Sequence, residues 1–475
     1  MTPDRPAALY VPLVPAPREP GDLVGSAAPA PPAGAGGEDS AIGAPAPPDT
    51  KQETQPDTAT DTEPAVEPAP GPVPLLAPAG PVSGPLTDPA DLAEWAERLG
   101  SGSADPVALD AERASGYRYG SRAYLVQLRR ADVGTALLDP IALGDLSVLD
   151  EPLSRSEWVL HAANQDLPCL AEVGIRPRRL FDTELAGRLA GLPRVGLGPL
   201  VEQILGLYLR KGHGAADWST RPLPHDWLVY AALDVEVLIE LRDRMEAMLR
   251  RQGKWEWARQ EFEAIVLTPP AVPRTDPWRR TSGMHRITDR RALAVVRELW
   301  ESRDRIARRR DVAPHRILPD SAIIAAATVR PTTVSALTAL PVFAGRMQRR
   351  NADVWHSAIA RAMSMPAENL PTSRPPADGP PAPAKWAAKD PDAAARLQAA
   401  RSALAELSER VGTPVENLLS PDSVRRVLWE PPEDGDVARV LAGRGARSWQ
   451  IELTAPLLRA ALGARAGGTR QVTGE

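Results

Sequence analysis

Five side chains in this sequence could act together on one substrate. Asp110 and Glu112 lie in Val107-Ala-Leu-Asp-Ala-Glu112, Asp166 in His161-Ala-Ala-Asn-Gln-Asp-Leu167, and Tyr230 and Asp234 in Tyr230-Ala-Ala-Leu-Asp-Val235. Each carboxylate stands at the end of an apolar run or on one face of a helix, where an ionised group without a partner is costly. Like charges gathered on one face repel, and a cation between them removes the penalty. The set could therefore hold a pair of divalent metals, which is the chemistry of a nuclease.

The elements that must position these groups can be read from the same stretches. Pro106 to Asp110 predicts a buried strand. Side chains alternate along a strand, so Asp110 and Glu112 project to one side while Ala111 points away. Ala123-Tyr-Leu-Val-Gln-Leu128 and Thr135-Ala-Leu-Leu138 predict two more strands, giving a sheet whose first strand carries the acids. Glu157 to His161 predicts another short strand, followed by a helix from near Asn164 with Asp166 in its first turn. A role favourable to the helix dipole is the plainer alternative for that carboxylate. A helix from Pro224 to about Arg250 puts Trp227, Leu228, Ala231, Val235, Leu238 and Leu241 on its apolar side. Tyr230 and Asp234 then stack on one helical face.

The three segments resemble, in order, the three sequence motifs of the DEDD 3′→5′ exonuclease superfamily, in the version whose third motif carries tyrosine. They are most similar to ribonuclease D. Lys211-Gly-His-Gly-Ala-Ala-Asp-Trp-Ser-Thr-Arg-Pro-Leu223 resembles that family's run of lysine, Asp-Trp and Arg-Pro-Leu before the tyrosine helix. The likeness covers about residues 72–268 and continues into the C-terminal half. It implies an α/β, ribonuclease H-like mixed-sheet domain. In it, Asp110, Glu112 and Asp234 would hold one metal ion, and Asp110 would bridge to a second that Asp166 supports mostly through water. Tyr230 would orient the attacking water. Two ions would clamp an in-line displacement, and oxygen-only ligation fits Mg²⁺ or Mn²⁺ and argues against zinc. The implied reaction releases 5′-mononucleotides from a 3′ end. Where the family reads Asp-Thr-Glu and an aromatic residue, this chain reads Asp110-Ala-Glu-Arg113. Ala111 faces away from the metals and should matter little. Arg113 replaces an aromatic that in relatives wedges against the terminal base, but arginine can still stack on a base or bind a phosphate.

Other residues admit two readings. Asp182-Thr-Glu184 copies the family's first motif literally, yet it opens an apparent helix, so Asp182 or Thr183 reads better as its cap. Gly196-Leu-Gly198 lacks the preceding strand and third glycine of a dinucleotide fingerprint and reads as loop and helix start. His161 could support the metal site or be a satisfied buried histidine. Lys211 could touch a phosphate or be a solvated lysine. With Arg113, these two complete the candidate substrate-binding residues. Cys169 reads as a buried small apolar residue rather than a nucleophile.

The chain has 475 residues and a single cysteine, which excludes an intrachain disulfide and agrees with a reducing interior. Residues 1–71 are rich in Pro, Ala, Gly and acids, and predict a disordered tail. Residues 1–85 carry 3 basic and 11 acidic side chains, so the chain's net charge of −5 conceals a mildly basic body. No apolar run approaches a membrane span and no hydrophobic signal core opens the sequence. Val73-Pro-Leu-Leu-Ala77 opens the folded region, and Thr87-Asp-Pro predicts a capped helix start. The nuclease domain extends over residues 72–268 and a linker over 269–285. A helical module over 286–364 resembles the HRDC module, with Asp320 capping the helix that follows it. The stretch 274–363 holds 18 arginines against 8 acids, which favours phosphate contacts, Arg308-Arg-Arg310 among them. A Pro-rich linker (365–391) leads to a second, divergent HRDC-like module at 392–465, with ten basic and ten acidic residues. Its neutrality argues for packing or substrate positioning. A disordered tail follows at 466–475.

These readings predict a cytoplasmic, monomeric 3′→5′ exoribonuclease that trims structured RNA precursors, with tRNA 3′ ends the family expectation. The helical modules would clamp the RNA body. A DNA exonuclease of repair and a non-catalytic RNA-binding scaffold are the competing readings. All five catalytic positions are present, which argues against the scaffold.

Overall fold

A computed structural model describes residues 71–210, 212–272, 274–373 and 378–465. The Pro-rich acidic tail, Lys211 and the C-terminal tail from residue 466 lie outside the described residues. The described strands are β1 (Val73–Leu75), β2 (Val107–Arg113), β3 (Ala123–Arg130), β4 (Gly134–Leu138), β5 (Trp158–Leu160), β6 (Leu180–Asp182) and β7 (Leu207–Leu209). Five of them form one sheet in the order β4-β3-β2-β5-β6, antiparallel across β4, β3 and β2 and parallel across β2, β5 and β6. This is the ribonuclease H-like mixed α/β sheet. β1 pairs with β7 in a separate parallel ribbon.

β2 lies in the middle of the sheet. Its Val107, Ala108 and Leu109 are buried, as expected of a strand covered on both faces. Leu109 and Ala111 join the main core with Val126 and Leu128. On the opposite face, Leu125 stands across from Glu112 and Gln127 across from Asp110. Leu125 packs there with Leu228, Ala231 and Ala232 of the helix His225–Glu236. That helix therefore covers the face to which Asp110 and Glu112 project. The helix Pro89–Ser101 begins as its sequence predicts: Asp88 accepts a hydrogen bond from the Ala90 amide at 2.8 Å, and Pro89 takes the first helical position, where its missing N–H costs nothing.

Two helical modules follow. In the first, Arg290–Arg310 packs against Asp320–Val329 and Ala352–Ser364 around Val295, Leu299, Ile323 and Trp355. In the second, Pro391–Val411 packs against Ser448–Ala461 around Leu397, Leu404 and Leu458.

Several expectations change. The single helix expected from Pro224 to about Arg250 is two, His225–Glu236 and Leu238–Arg251, with Val237 between them. Asp320 does not cap the helix after it. It is the first residue of that helix, and its carboxylate accepts from Arg303 at 2.6 Å and from the Ser282 amide at 2.7 Å. Trp278, in the stretch read as a linker, is buried in the first helical core, and Trp386 likewise in the second. β6 and β7 were not expected, since three residues are too few to show alternation.

The modules are locked to the nuclease domain by side chains. The turn between β2 and β3 reaches the first module: the Ala313 amide donates to the Tyr117 carbonyl at 2.9 Å, and Arg316 Nε to the Gly116 carbonyl at 2.7 Å. The Tyr119 hydroxyl donates to Asp304 at 3.0 Å and accepts from Arg308 Nη2 at 3.1 Å. Arg308 is thus engaged within the protein, although it is exposed, as are Arg309 and Arg310. The second module docks elsewhere. Leu407, Leu418 and Trp449 are part of the nuclease core, and the buried Lys254 ammonium donates to the Leu189 and Gly412 carbonyls at 2.7 and 3.0 Å. Gly191 takes φ +78°, and a Cβ there would meet the Gly412 carbonyl oxygen at 2.3 Å, so only glycine allows this approach.

Candidate active site

The alternation of β2 delivers Asp110 and Glu112 to one face, and the i, i+4 spacing of the covering helix delivers Tyr230 and Asp234 toward them. One carboxylate oxygen from each of Asp110, Glu112 and Asp234 lies within 4.8 Å of the others. These groups line a cleft of about 500 Å³ together with Asp166, Tyr230, Arg113 and His161. The structure thus brings together every sequence-predicted site residue it describes; Lys211 lies outside the described residues.

Burial and mutual repulsion dominate the electrostatics. Burial first, then Asp110, Asp234 and Asp166, push the Glu112 carboxyl up to about 9. Burial pushes Asp110 up to about 6, against the lowering effects of the Ala111 amide and Arg113. Burial and then the Asp110 charge push Asp166 up to about 8. Asp234 is also raised, by burial and by Asp110, while a hydrogen bond from Tyr230 works the other way. Buried, repelling carboxylates that share one cleft are the donor set a hard divalent cation requires, since its charge removes the penalty that protonation would otherwise relieve. The residues fit the metal that the motifs imply. Tyr230 is itself raised by burial and by the adjacent Asp234, so it keeps its proton at neutral pH.

A loop fixes the tyrosine. Trp218 is fully buried against Trp227 and Tyr230, and the Tyr230 ring meets His213 edge-on, with centroids 5.7 Å apart. A Cβ on Gly212 would stand 3.0 Å from the Tyr230 ring. Arg221, from the Arg-Pro-Leu run, anchors this loop to the sheet: it donates to both Asp139 oxygens at 2.6 and 2.8 Å and to the Tyr124 carbonyl at 2.8 Å.

Asp166 does not sit inside a helix. It follows a 3₁₀ turn, Ala163–Gln165, and precedes the helix Leu167–Glu172, and its carboxylate caps nothing. Its side-chain partner is Arg113, whose Nη2 lies 3.4 Å from Asp166 Oδ1. Arg113 therefore lies beside the clustered carboxylates, at the edge of the cleft. His161 bonds Thr183 through Nδ1 at 2.9 Å, and burial lowers it to about 4, so it is neutral at pH 7. The Cys169 thiol donates to the Asp166 carbonyl, and burial pushes it up to about 12, which rules out a thiolate nucleophile at neutral pH.

Asp182 does more than its sequence suggested. It caps the helix Thr183–Leu189 as expected, accepting from the Glu184 and Leu185 amides at 2.9 and 3.2 Å. It also accepts from the Ala162 and Ala163 amides at 3.0 and 2.9 Å. Ala162 has φ +57°, an uncommon conformation for a residue with a side chain, and opens the turn that delivers Asp166. Asp182→Ala removes a cap and leaves two further buried amides unpaired. The expected outcome is a loss of about 2–3 kcal/mol of stability, measured by denaturant unfolding. Leu197, Gly198 and Pro199, at the start of the helix Leu197–Leu205, also line the cleft; nothing in their types marked them.

The chain is similar to known proteins. The chain matches the family model described as 3′-5′ exonuclease over residues 85–250, the HRDC domain over 292–359, and the 3′ to 5′ exonuclease C-terminal domain over 379–462. It is 34% identical over 309 residues to a ribonuclease D of Gluconacetobacter diazotrophicus, covering 63% of this chain and 77% of the relative. It is 33% identical to a ribonuclease D of Acidiphilium cryptum, covering 60% of this chain and 75% of that one. Among solved structures, a protein from Bifidobacterium adolescentis is 37% identical with a TM-score of 0.75, covering 82% of this chain and 99% of that one. Escherichia coli RNase D, described as an exoribonuclease involved in structured RNA processing, shares the fold at 24% identity and a TM-score of 0.60, covering 79% of this chain and 97% of that one.

Proposed function

The chain belongs to the ribonuclease D family and is a 3′→5′ exoribonuclease, and on that premise we propose that Asp110, Glu112, Asp166 and Asp234 hold two divalent ions, Mg²⁺ or Mn²⁺, beside Tyr230. Ions bound there supply charge to the attacking and leaving oxygens of an in-line displacement. Asp110, Glu112 and Asp234 make one set of ligands, and Asp166 supports the second position across Asp110. Tyr230, protonated and boxed by His213 and Trp218, holds the attacking water in line by hydrogen bonding. The observation that supports the assignment is the convergence of three carboxylate oxygens within 4.8 Å, one acid buried and two half-buried, in one cleft.

The substrate is a structured RNA with a short 3′ extension, a tRNA precursor above all. The cleft accepts the extension and the helical modules hold the body. Arg309, Arg346, Arg349 and Arg350 of the first module are exposed and have no partner among the described residues, so they are free for phosphate contacts that set affinity without reading sequence. No helix among the described residues is long and apolar enough to cross a membrane. The single cysteine suits a reducing compartment, and the protein acts in the cytoplasm as a monomer.

The test is nucleotide release from a 3′-extended tRNA-like RNA, with Mg²⁺ or Mn²⁺, beside a DNA of matched shape. Metal-dependent mononucleotides from the RNA, stopping near its structured body, are expected. Equal or faster loss from DNA would replace the RNA substrate with a DNA one.

A further inference from the structure

Asp110, Glu112 and Asp234 face one another across the cleft, but Asp166 is already paired with a cation. Arg113 is the last residue of β2, directly after Glu112, where the β2–β3 register shifts. The residue added by that shift, Tyr124, lies on β3, so β2 itself carries no extra residue and Arg113 stands at its very end. Arg113 lines the cleft. Its Nη1 donates to the Gln165 carbonyl at 2.7 Å, and its Nη2 stands 3.4 Å from Asp166 Oδ1. The Asp166 side chain is only 5% exposed, whereas Arg113 keeps 29% of its surface open to the cleft.

The two halves of the site are therefore unequal. Among the described residues, the three-carboxylate half can take a divalent ion with no salt-bridged cation to displace. The Asp166 half would bring a divalent ion close to a fixed guanidinium, and like charges at such range repel strongly where water is excluded. The guanidinium is held by one short bond to a carbonyl and one looser contact to the carboxylate, and a phosphate offers it a bidentate acceptor of better geometry.

Resting on the metal-site reading above, we propose that Arg113 is a positioning residue that acts as the resident counter-cation of Asp166. It keeps the second ion weakly bound until an RNA phosphate in the cleft draws the guanidinium away. Ion and RNA then bind cooperatively. By linkage, RNA tightens the second ion by the same factor as that ion tightens RNA.

The experiment titrates the full-length protein with Mn²⁺ alone, without RNA, and counts bound ions by electron paramagnetic resonance. The wild type is expected to bind one ion tightly and a second weakly. Arg113→Gln removes the charge and should tighten the second ion by about tenfold, within the usual range of coupling between sites. Arg113→Lys keeps the charge and should restore the weak second site. Asp166→Asn in the Arg113→Gln background should abolish the gain. Unchanged or weaker second-ion binding in Arg113→Gln overturns the proposal, as does a gain that survives loss of Asp166. Absence of any Mn²⁺ binding in both wild type and Arg113→Gln would instead overturn the metal-site reading on which the proposal stands.

Discussion

Asp110→Asn is expected to abolish nucleotide release while leaving RNA affinity and the fold intact. Asp110 belongs to the three-carboxylate set with Glu112 and Asp234, and its charge also acts on Asp166. An amide keeps the shape but offers one neutral oxygen, so both positions lose charge at once. The loss should be about 10³-fold or more in turnover, since removing even a single transition-state donor costs 10²–10³. On the proposed reading the RNA body is held by the helical modules, so the dissociation constant in EDTA should match the wild type. The variant should also be at least as stable as the wild type without metal, because burial and its acidic neighbours make the Asp110 charge a liability there. Ion binding should raise the wild-type melting temperature and barely move the variant's, as mass action on the folded state requires. Wild-type turnover by Asp110→Asn would remove the acid from the site.

Glu261→Ala is expected to destabilise the protein strongly by breaking the docking of the second helical module. Glu261, buried on the helix Trp255–Leu267, accepts from Arg447 Nε at 2.8 Å and from the Trp449 indole at 3.0 Å, and also meets Arg447 Nη2. Beside it, Trp257 stacks on Trp449 with ring centroids 4.7 Å apart and planes 10° apart. Truncating the carboxylate leaves a guanidinium and a buried indole N–H without their acceptor. Breaking a buried pair costs 3–5 kcal/mol, and the partial exposure of Arg447 places this one at about 3. Melting should fall by about 10 °C, at 2–4 °C per kcal/mol for a domain of this size. Glu261→Gln, which keeps an acceptor for Trp449, should recover part of the loss. If the second helical module positions structured RNA, Glu261→Ala should impair trimming of a tRNA-like substrate while sparing a short single-stranded oligonucleotide. Equal loss on both would assign the module a purely structural role.

Much of the site was legible because it rests on short-range periodicity. Asp110 and Glu112 share a face because strands alternate, and Tyr230 and Asp234 share one because helices repeat near four. The unread parts depend on long-range contacts. Asp182 resembled a motif and a cap, but its bonds to Ala162 and Ala163 arise because β5 and β6 lie side by side, with Leu160 opposite Asp182. The Arg113–Asp166 contact joins the end of β2 to the turn after β5, two elements far apart in the chain. The docking of the second module joins Glu261 to Arg447, residues 186 apart, and nothing local in either marks the other. Arg308 shows the same limit: its bonds to Tyr119 and Asp304 could not be read from the arginine run, although its side chain stays 70% exposed.

The turn between β2 and β3 has one more consequence. It begins at the strand that carries Asp110 and Glu112 and ends against Asp304, Asp311 and Arg316 of the first helical module. That module is therefore set at a fixed distance from the scissile position by folded structure, and the Pro-rich connector after Leu267 need not fix that distance. On the proposed reading, the turn works as a gauge. The number of nucleotides left on a trimmed RNA would be set by the length of this turn, so inserting residues near Gly120 would move the stopping point and leave the chemistry unchanged.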